Sequence, residues 1–257
     1  MSAPSSVSVC MATYNGAAHV EAQLMSILEQ LQDGDEVVIV DDASTDDTRA
    51  IVGGIDDDRV RLIPLPVNRG YVRAFETAVS HAAGDVILLA DQDDVWIPGR
   101  RDALAWGLGD TEVVASNLLL LGTDTPITSP LTGRPWILRP ATSRQHRRNL
   151  LRILAGAAPY YGCAMGMRSD FRSLALPFPP YLVESHDLWL AILANRAGSI
   201  RHLAAPSLWR RLHEGNASSP KPRGLIPALK SRWMLMRLVR EAGRRVRASG
   251  ERAQRNT

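Results

Sequence analysis

The sequence contains little of several residue types, and each scarcity excludes a class of protein. Only two cysteines occur among 257 residues, Cys10 and Cys163. Both lie in apolar surroundings, so we expect small core residues and not a disulfide scaffold or a cysteine-rich metal module. No stretch approaches the roughly 20 apolar residues of a membrane-spanning helix, and the N-terminus lacks the basic and apolar regions of a signal peptide. We therefore expect a cytoplasmic globular protein.

The familiar phosphate-binding loops are also missing. No G-x-G-x-x-G follows the first apolar strand, and no P-loop sequence occurs. The hydrophobic fraction of 45% and the charged fraction of 22% are those of an ordinary globular protein, which excludes disordered and fibrous classes. Any phosphate group is therefore expected to be bound by other means.

Lysine is nearly absent, and the basic residues are unevenly distributed. Lys221 and Lys230 are the only lysines, so arginine supplies 28 of the 30 basic residues. From Lys221 onward eleven basic residues and two acids give a charge of +9, which leaves −6 on the rest of a chain of net charge +3. Prolines cluster at the entry to this tail. We therefore divide the chain into a domain over residues 1–219 and a basic amphipathic tail over residues 220–257.

Apolar strands and amphipathic helices alternate through the first half of the sequence. This alternation predicts an α/β fold with a single, mostly parallel sheet flanked by helices. The second half is less regular, with a proline-rich loop over residues 123–143. The predicted strands are "SVSVCMATY", "EVVIVDD", "RVRLIPL", "DVILLAD" and "TEVVASNLLLLG", and the predicted helices cover residues 17–32, 45–52, 71–82 and 187–195. The segment "YYGCAMGMRSDF" is predicted to be a strand that runs into a short helix.

The fourth strand ends in three carboxylates, Asp91, Asp93 and Asp94. In open α/β sheets the ligand crevice lies at the carboxyl ends of the strands, so these acids are expected where a ligand binds. Three like charges held so close repel one another unless a cation or donor groups neutralise them. The pattern therefore favours a divalent metal site.

Polar residues also follow the three preceding strands. The first strand ends in Thr13 and Tyr14, the second in Asp41 and Asp42, and the third is followed by an Asn-Arg-Gly sequence. A carboxylate at such a position can accept a hydrogen bond from the imide N–H of uracil or thymine. The alternatives are a turn at Asn-Gly and helix capping by Ser44, Asp46 and Asp47. The joint placement favours a nucleotide site.

The segments "VSVCMATYNGAAHVEAQLMSIL", "VVIVDDASTDDT", "NRGYVRAFETAVSHAAGDVILLADQDDVWIP" and "HDLWLA" together resemble the family 2 inverting glycosyltransferases of the GT-A fold. The nearest likeness is to bacterial rhamnosyltransferase-like members that build cell-surface polysaccharides. The resemblance implies metal-dependent transfer of a sugar, with rhamnose as the first expectation. The donor is expected to be a dTDP- or UDP-linked sugar, and the acceptor a carbohydrate or a lipid-linked sugar.

The resemblance also implies roles for individual residues. Asp187 matches the general base, and the alternative for it is helix capping. His186 stands where the family often has a second acid. Arg210 and Arg211 are candidates to bind phosphate, with solvated arginine as the alternative. The nucleotide-sugar site is assigned to Thr13, Tyr14, Asp42, Asn68, Arg69, Asp91 and Gln92, and the Mg²⁺ or Mn²⁺ site to Asp93 and His213.

Two other functions remain open at this point. A sugar-phosphate nucleotidylyltransferase shares nucleotide-binding architecture, but the sequence after the first strand lacks the glycine-rich basic loop expected of that class. A non-catalytic, membrane-recruited protein that binds a nucleotide sugar is the second alternative. The intact Asp93 and Asp187 favour an enzyme.

The basic tail predicts an amphipathic helix. It would either bind a membrane surface at the inner face of the cell membrane or pack on the domain. Nucleic acid is not expected as a partner, because aromatic residues are not interleaved with the basic ones. The apolar stripe of this helix is predicted to contain Leu225, Leu229, Trp233, Met236, Val239 and Val246.

Overall fold

The protein is described from a computed structural model that covers residues 6–130, 132–212 and 225–255. Within these ranges eight strands form one sheet. The strands are β1 (Val7–Thr13), β2 (Glu36–Asp41), β3 (Val60–Pro64), β4 (Val86–Asp91), β5 (Val95–Trp96), β6 (Val113–Leu120), β7 (Met165–Arg168) and β8 (Ile200–Arg210).

The sheet has the strand order β3-β2-β1-β4-β7-β6-β8-β5. The first four of these strands run parallel, as do β6 and β8. Strand β7 is antiparallel to both of its neighbours, and β5 is antiparallel to β8. The prediction of a single, mixed but mostly parallel sheet is confirmed.

The helices lie on both faces of the sheet. Alternate residues of β1 point to opposite sides, so that Cys10 packs with one group of helices while Val9 and Met11 pack with the other. The first face is covered by α3, α5, α7 and α8, and the second by α1, α2 and α4. The helices are α1 (Val20–Leu28), α2 (Thr48–Gly53), α3 (Tyr71–His81), α4 (Arg100–Leu108), α5 (His146–Ala155), α6 (Arg172–Ala175), α7 (His186–Ala197) and α8 (Leu225–Arg255).

Several sequence expectations need correction. The predicted capping by Ser44 is wrong, because α2 begins at Thr48 and the Ser44 hydroxyl donates to Asp41 instead. Asp46 accepts from the N–H and the hydroxyl of Thr48. Helices α4 and α5 and strand β8 were not predicted. Strand β8 contains Pro206 and pairs with β6 across a bulge, which breaks the apolar alternation that would have indicated it.

The two cysteines and two of the tryptophans, Trp96 and Trp189, are buried. Cys10 and Cys163 are free and buried, as predicted. Trp96 and Trp189 pack in the two cores, and the indole N–H of Trp189 donates to the Ala175 carbonyl (3.2 Å). Both rings are therefore structural.

The C-terminal helix α8 packs on the body of the protein. Leu235, Leu238 and Ala242 are buried in the same core as α7. The predicted stripe is divided, because Val239 and Val246 pack against this core while the other described members face solvent. Residues 213–224 lie outside the described residues, so the division of the chain near residue 220 stays a prediction.

None of the described helices, α8 included, has a stretch that is long and apolar enough to cross a bilayer.

Removing the side chain of Leu238 tests whether α8 belongs to the core. Because Leu238 is fully buried, Leu238→Ala leaves a cavity in the core and is expected to lower the free energy of unfolding by about 2–5 kcal/mol. Leu229→Ala, on the exposed side of the same helix, is the matched control and is expected to change it by about 0.5 kcal/mol or less. The measurement is equilibrium unfolding in urea. Equal effects of both variants would show that α8 is not packed as described.

Candidate active site

The loops after β1 and β4 are joined by a pair of hydrogen bonds. The Tyr14 N–H donates to Gln92 Oε1 (2.8 Å), and Gln92 Nε2 donates to the Tyr14 carbonyl (3.1 Å). A Cβ atom on Gly16 would lie 2.3 Å from Gln92 Oε1, so only glycine leaves room for this side chain. Gln92 therefore fixes the position of Tyr14, whose ring is exposed at the edge of the site.

The end of β2 carries two aspartates with different surroundings. Asp41 is fully buried and accepts from the Thr13 hydroxyl (3.1 Å), the Ser44 N–H (3.0 Å) and Arg49. Burial raises the pKa of Asp41, but these hydrogen bonds outweigh burial and hold the pKa below its ordinary value. Asp41 and Thr13 thus join the ends of β2 and β1 at the site.

The predicted residues Asp42, Asn68 and Arg69 meet before α3. The carboxylate of Asp42 accepts from the backbone N–H groups of Arg69 (2.7 Å) and Gly70 (2.8 Å). Asn68 Oδ1 accepts from the same Gly70 N–H (3.1 Å). Asp42 therefore orders this loop, and each of its oxygens keeps a lone pair. Its recognition of a base stays a prediction.

Asp91 and Asp94 lie beside the thiol of Cys163 at the end of β4. One ligand atom from each of the three residues lies within 4.8 Å of the others. The buried Oδ2 of Asp94 has no nitrogen or oxygen partner in the described part of the chain. The Asp94 Oδ1 accepts from the Arg211 N–H (3.2 Å), while the Asp93 carbonyl accepts from Arg211 Nε (3.2 Å). We call Asp91, Asp94 and Cys163 the acid group. Asp93 does not belong to it.

Burial and mutual repulsion disfavour the charged forms in the acid group. Burial, followed by the charge of Asp93, raises the pKa of Asp91 to about 6. Burial, followed by the charges of Asp91 and Asp93, raises the pKa of Asp94 to about 8. Burial also raises the pKa of the Cys163 thiol. The charge of Arg210 opposes all three shifts but does not outweigh them, so the protonated forms of these groups stay favoured.

Two arginines surround the acid group. The buried Arg100 donates to the carbonyls of Leu89 (3.2 Å) and Cys163 (2.5 Å) and stacks 4.6 Å from the centroid of the Trp96 ring. Burial lowers the pKa of Arg100 to about 10, still well above neutrality. Arg210, at the end of β8, lies 5.1 Å from the centroid of the Tyr161 ring. Both arginines are buried, and the charge of each acts on Asp91.

Asp187 occupies the first turn of α7, near the acid group. Its Oδ1 accepts from the Leu188 N–H (2.7 Å), so the capping alternative describes part of its role. Burial raises the pKa of Asp187 to about 6, and the charge of Asp91 adds to the shift. Hydrogen bonds from Leu188 and Gly162 and the charge of Arg210 oppose it. A carboxylate with a raised pKa in a polar cleft can exchange a proton near neutral pH.

His186 is packed and not exposed to this cleft. Its ring stacks on Phe75, with centroids 4.2 Å apart, and meets the edge of Tyr71 at 5.7 Å. Neither ring nitrogen has a hydrogen-bond partner among the described residues. Burial lowers the pKa of His186 to about 3, so the ring is neutral. A packing role thus accounts for histidine at this position.

The family model described as glycosyl transferase family 2 matches residues 8–173, well over half of the chain.

The chain belongs to glycosyl transferase family 2.

The chain is 27% identical over 224 residues to the Escherichia coli UDP-Glc:alpha-D-GlcNAc-diphosphoundecaprenol beta-1,3-glucosyltransferase WfaP, which is 86% of this chain and 82% of WfaP. It is 28% identical over 123 residues to WfgD of the same organism, which carries the same description. That match covers 44% of this chain and 49% of WfgD, so this part of the chain spans about half of that relative.

Among solved structures, TarS 1-349 of S. aureus in complex with UDP-GlcNAc matches with a TM-score of 0.68. The sequence identity is 20%, and the match covers 91% of this chain and 65% of that one. This likeness supports the GT-A fold that was predicted for this chain.

The acid group fits a divalent cation. It offers carboxylate oxygens, one of which has no nitrogen or oxygen partner among the described residues, at a place where burial and mutual repulsion disfavour the charged carboxylates. Reasoning from sequence identified Asp91 but gave Cys163 only a packing role and did not consider Arg100. No local pattern indicates either residue, because β7 and α4 bring them to the site. The predicted ligand His213 lies outside the described residues.

Proposed function

We propose that this family 2 glycosyltransferase moves a sugar from a nucleoside diphosphate donor to an acceptor hydroxyl, with inversion at the anomeric carbon. The observation that carries the proposal is the position of Asp187 beside Gly162, the neighbour of Cys163 in the acid group. A base with a raised pKa thus lies near the acids that would face the diphosphate. Cell-surface polysaccharide or glycan synthesis is the setting that the relatives' names support.

Asp187 is proposed as the general base. It takes the proton of the acceptor hydroxyl as that oxygen bonds to the anomeric carbon. The bond from this carbon to the donor phosphate oxygen breaks on the opposite face, and the nucleoside diphosphate departs with the electron pair. Arg210, which lies near both Asp187 and Asp91, can stabilise the negative charge that develops on the leaving group.

Asp91 and Asp94 are proposed to hold Mg²⁺ or Mn²⁺, together with Asp93 and His213 as the family resemblance implies. A bound cation would neutralise charge on the diphosphate. Arg100 holds the Leu89 and Cys163 carbonyls and so keeps the two sides of the acid group together.

The donor is proposed to carry a pyrimidine nucleotide, UDP or dTDP. Support comes from the UDP-glucose named for WfaP and WfgD and from the UDP and UDP-GlcNAc bound to TarS. In this proposal Asp42, Thr13 and Tyr14 bind the base side, and Asn68, Arg69 and Gln92 complete the nucleotide-sugar site. Rhamnose as the sugar rests on the "HDLW" and "DQDDVW" resemblance alone.

The acceptor is proposed to be a lipid-linked sugar, which fits the diphosphoundecaprenol named in WfaP and WfgD. A carbohydrate without lipid is the simpler acceptor of the same hydroxyl chemistry. A lipid-linked acceptor would bring the enzyme to the inner face of the cell membrane. No nucleic acid takes part in this proposal.

Release of the nucleoside diphosphate tests the proposed reaction. UDP-glucose, UDP-GlcNAc and dTDP-rhamnose are incubated with Mn²⁺ and an undecaprenyl-diphosphate-linked GlcNAc, and the expected result is release from one donor that depends on the acceptor. Pyrophosphate release from a nucleoside triphosphate and a sugar 1-phosphate would instead show a nucleotidylyltransferase. Tight donor binding without turnover of any acceptor would favour a non-catalytic protein.

The raised pKa of Asp187 predicts the acid limb of the pH profile. The base acts only when deprotonated, so kcat/KM at saturating Mn²⁺ is expected to be level well above pH 6, to reach half of that level near pH 6 and to fall about tenfold per unit well below it. Two charged groups act on this carboxylate: Asp91 raises its pKa, and Arg210 lowers it. Initial rates between pH 4.5 and 8 provide the measurement. An inflection near the ordinary pKa of a carboxyl would contradict the assignment.

A further inference from the structure

The outward face of α8 carries a row of apolar side chains. Leu229, Trp233 and Met236 are 68%, 59% and 46% exposed. Their spacing of four and then three residues places them on one side of the helix. The opposite side is already occupied, because Leu235 and Leu238 are buried against the body. The exposed row is therefore not the surface that docks the helix.

The same face continues as a basic row toward the C-terminus. Arg240, Arg244 and Arg247 are exposed and follow Met236 at intervals of four, four and three residues. Lys230 is exposed beside the apolar row. Glu241 pairs with Arg244 and Arg245, so one arginine of the row is partly neutralised. The face as a whole is apolar at one end and positive at the other.

Contacts join this face to the segment that leads to Asp187. The Ser231 hydroxyl donates to Glu184 Oε1 (2.5 Å). The Arg237 guanidinium lies between two rings, 3.7 Å from the centroid of Tyr181 and 4.6 Å from that of Trp233. The neighbouring Val183 is 74% exposed. The apolar row thus lies beside residues 181–185, which immediately precede the proposed base.

We propose that this face of α8 binds the anionic surface of a lipid bilayer, with Trp233 at the headgroup level, and so presents the Asp187 side of the site to the membrane. Exposed apolar residues with tryptophan, followed by arginines, are the combination that interfacial helices use. Each basic residue near an anionic surface strengthens binding about fivefold. The role in presenting a lipid-linked acceptor rests on the proposed function, whereas lipid binding itself does not.

A second copy of the chain fits this face poorly. In a two-fold dimer the same patch meets itself, which would bring the basic row of one protomer close to that of its partner. Three exposed apolar side chains also cover far less area than the roughly 800 Å² per partner of a stable interface. The negative headgroups of an anionic bilayer would pair with the arginines of the basic row, which a second copy would leave unpaired.

Co-sedimentation with vesicles tests the proposal on the full chain without donor or acceptor. Vesicles of phosphatidylglycerol and phosphatidylethanolamine are compared with vesicles of phosphatidylcholine alone. We expect binding to the anionic vesicles only, with a blue shift of tryptophan fluorescence and loss of binding in high salt. Trp233→Ala is expected to weaken binding at least about tenfold, and Arg240→Gln with Arg247→Gln about 25-fold.

The controls are matched in exposure. Trp106 on α4 is 60% exposed, so Trp106→Ala removes an equally exposed indole from another element. Arg61→Gln with Arg134→Gln removes two exposed arginines elsewhere. Binding to both vesicle types, binding to neither, or equal losses in test and control variants would overturn the proposal. So would a dimer that Trp233→Ala dissociates. Nucleotide titration of the same samples reports the proposed function separately.

Discussion

Replacing Asp187 by asparagine is expected to lower kcat by about 10²- to 10⁴-fold, the range that a positioned general base contributes. Asparagine is nearly isosteric, and its amide oxygen can still accept from the Leu188 N–H, so the start of α7 is preserved. Because no proposed contact to the nucleotide is lost, the dissociation constant of the nucleoside diphosphate is expected to stay within about twofold of wild type. Single-turnover transfer and calorimetry measure the two quantities.

The control for this variant is another acid in the first turn of a helix. Asp102 occupies that position in α4 and lies outside the site, so Asp102→Asn is expected to keep wild-type turnover. Unchanged kcat in Asp187→Asn, or an equal loss in both variants, would contradict the assignment of the base. Loss of kcat together with loss of nucleotide binding would instead indicate that the site has been disrupted.

Asp91→Asn is expected to weaken Mn²⁺-dependent binding of the nucleoside diphosphate at least about 100-fold, because residues that merely support a metal ligand already contribute 10- to 100-fold. The same substitution removes the charge that helps to raise the pKa of Asp94, so this pKa is expected to fall. Titration with and without Mn²⁺ gives the affinity. Metal-independent affinity is expected to change little.

The variants Asp93→Asn and Asp94→Asn distinguish between the two proposed assignments of the metal ligands. The family resemblance assigns the metal to Asp93, whereas the geometry places Asp94 in the acid group. If Asp94 is a ligand in this chain, Asp94→Asn lowers Mn²⁺ affinity as Asp91→Asn does. Equal Mn²⁺ affinity in wild type, Asp91→Asn and Asp94→Asn would show that the acid group holds no metal.

The first half of the fold could be predicted because its apolar pattern is regular. Strands β1, β2 and β4 are buried on both faces and read as continuous apolar runs, while α3 shows a clear helical period. Helix α5 is also amphipathic, with Asn149, Leu150 and Ile153 on its buried side, so it was predictable from its sequence and was missed. The C-terminal helix was predicted, but its docked side was not, because packing against α7 selects Leu235 and Leu238 from several apolar choices.

The site was predictable to the extent that strand ends meet at one edge of the sheet. This rule placed Thr13, Asp42 and Asp91 there without any structure. It could not separate Asp93 from Asp94, because neighbouring residues in a loop differ only in the direction that their side chains take. Nor could it give Cys163 or Arg100 a place, since both depend on contacts between segments far apart in the sequence.

Calorimetric titration of UDP, dTDP and GDP into the wild-type protein, with and without Mn²⁺, tests the central claim most directly. A family 2 glycosyltransferase with the proposed site is expected to bind UDP or dTDP in a Mn²⁺-dependent manner and GDP more weakly. The choice between the two pyrimidine nucleotides would then name the donor class. If none of the three binds, either with or without the metal, the proposed donor site is contradicted.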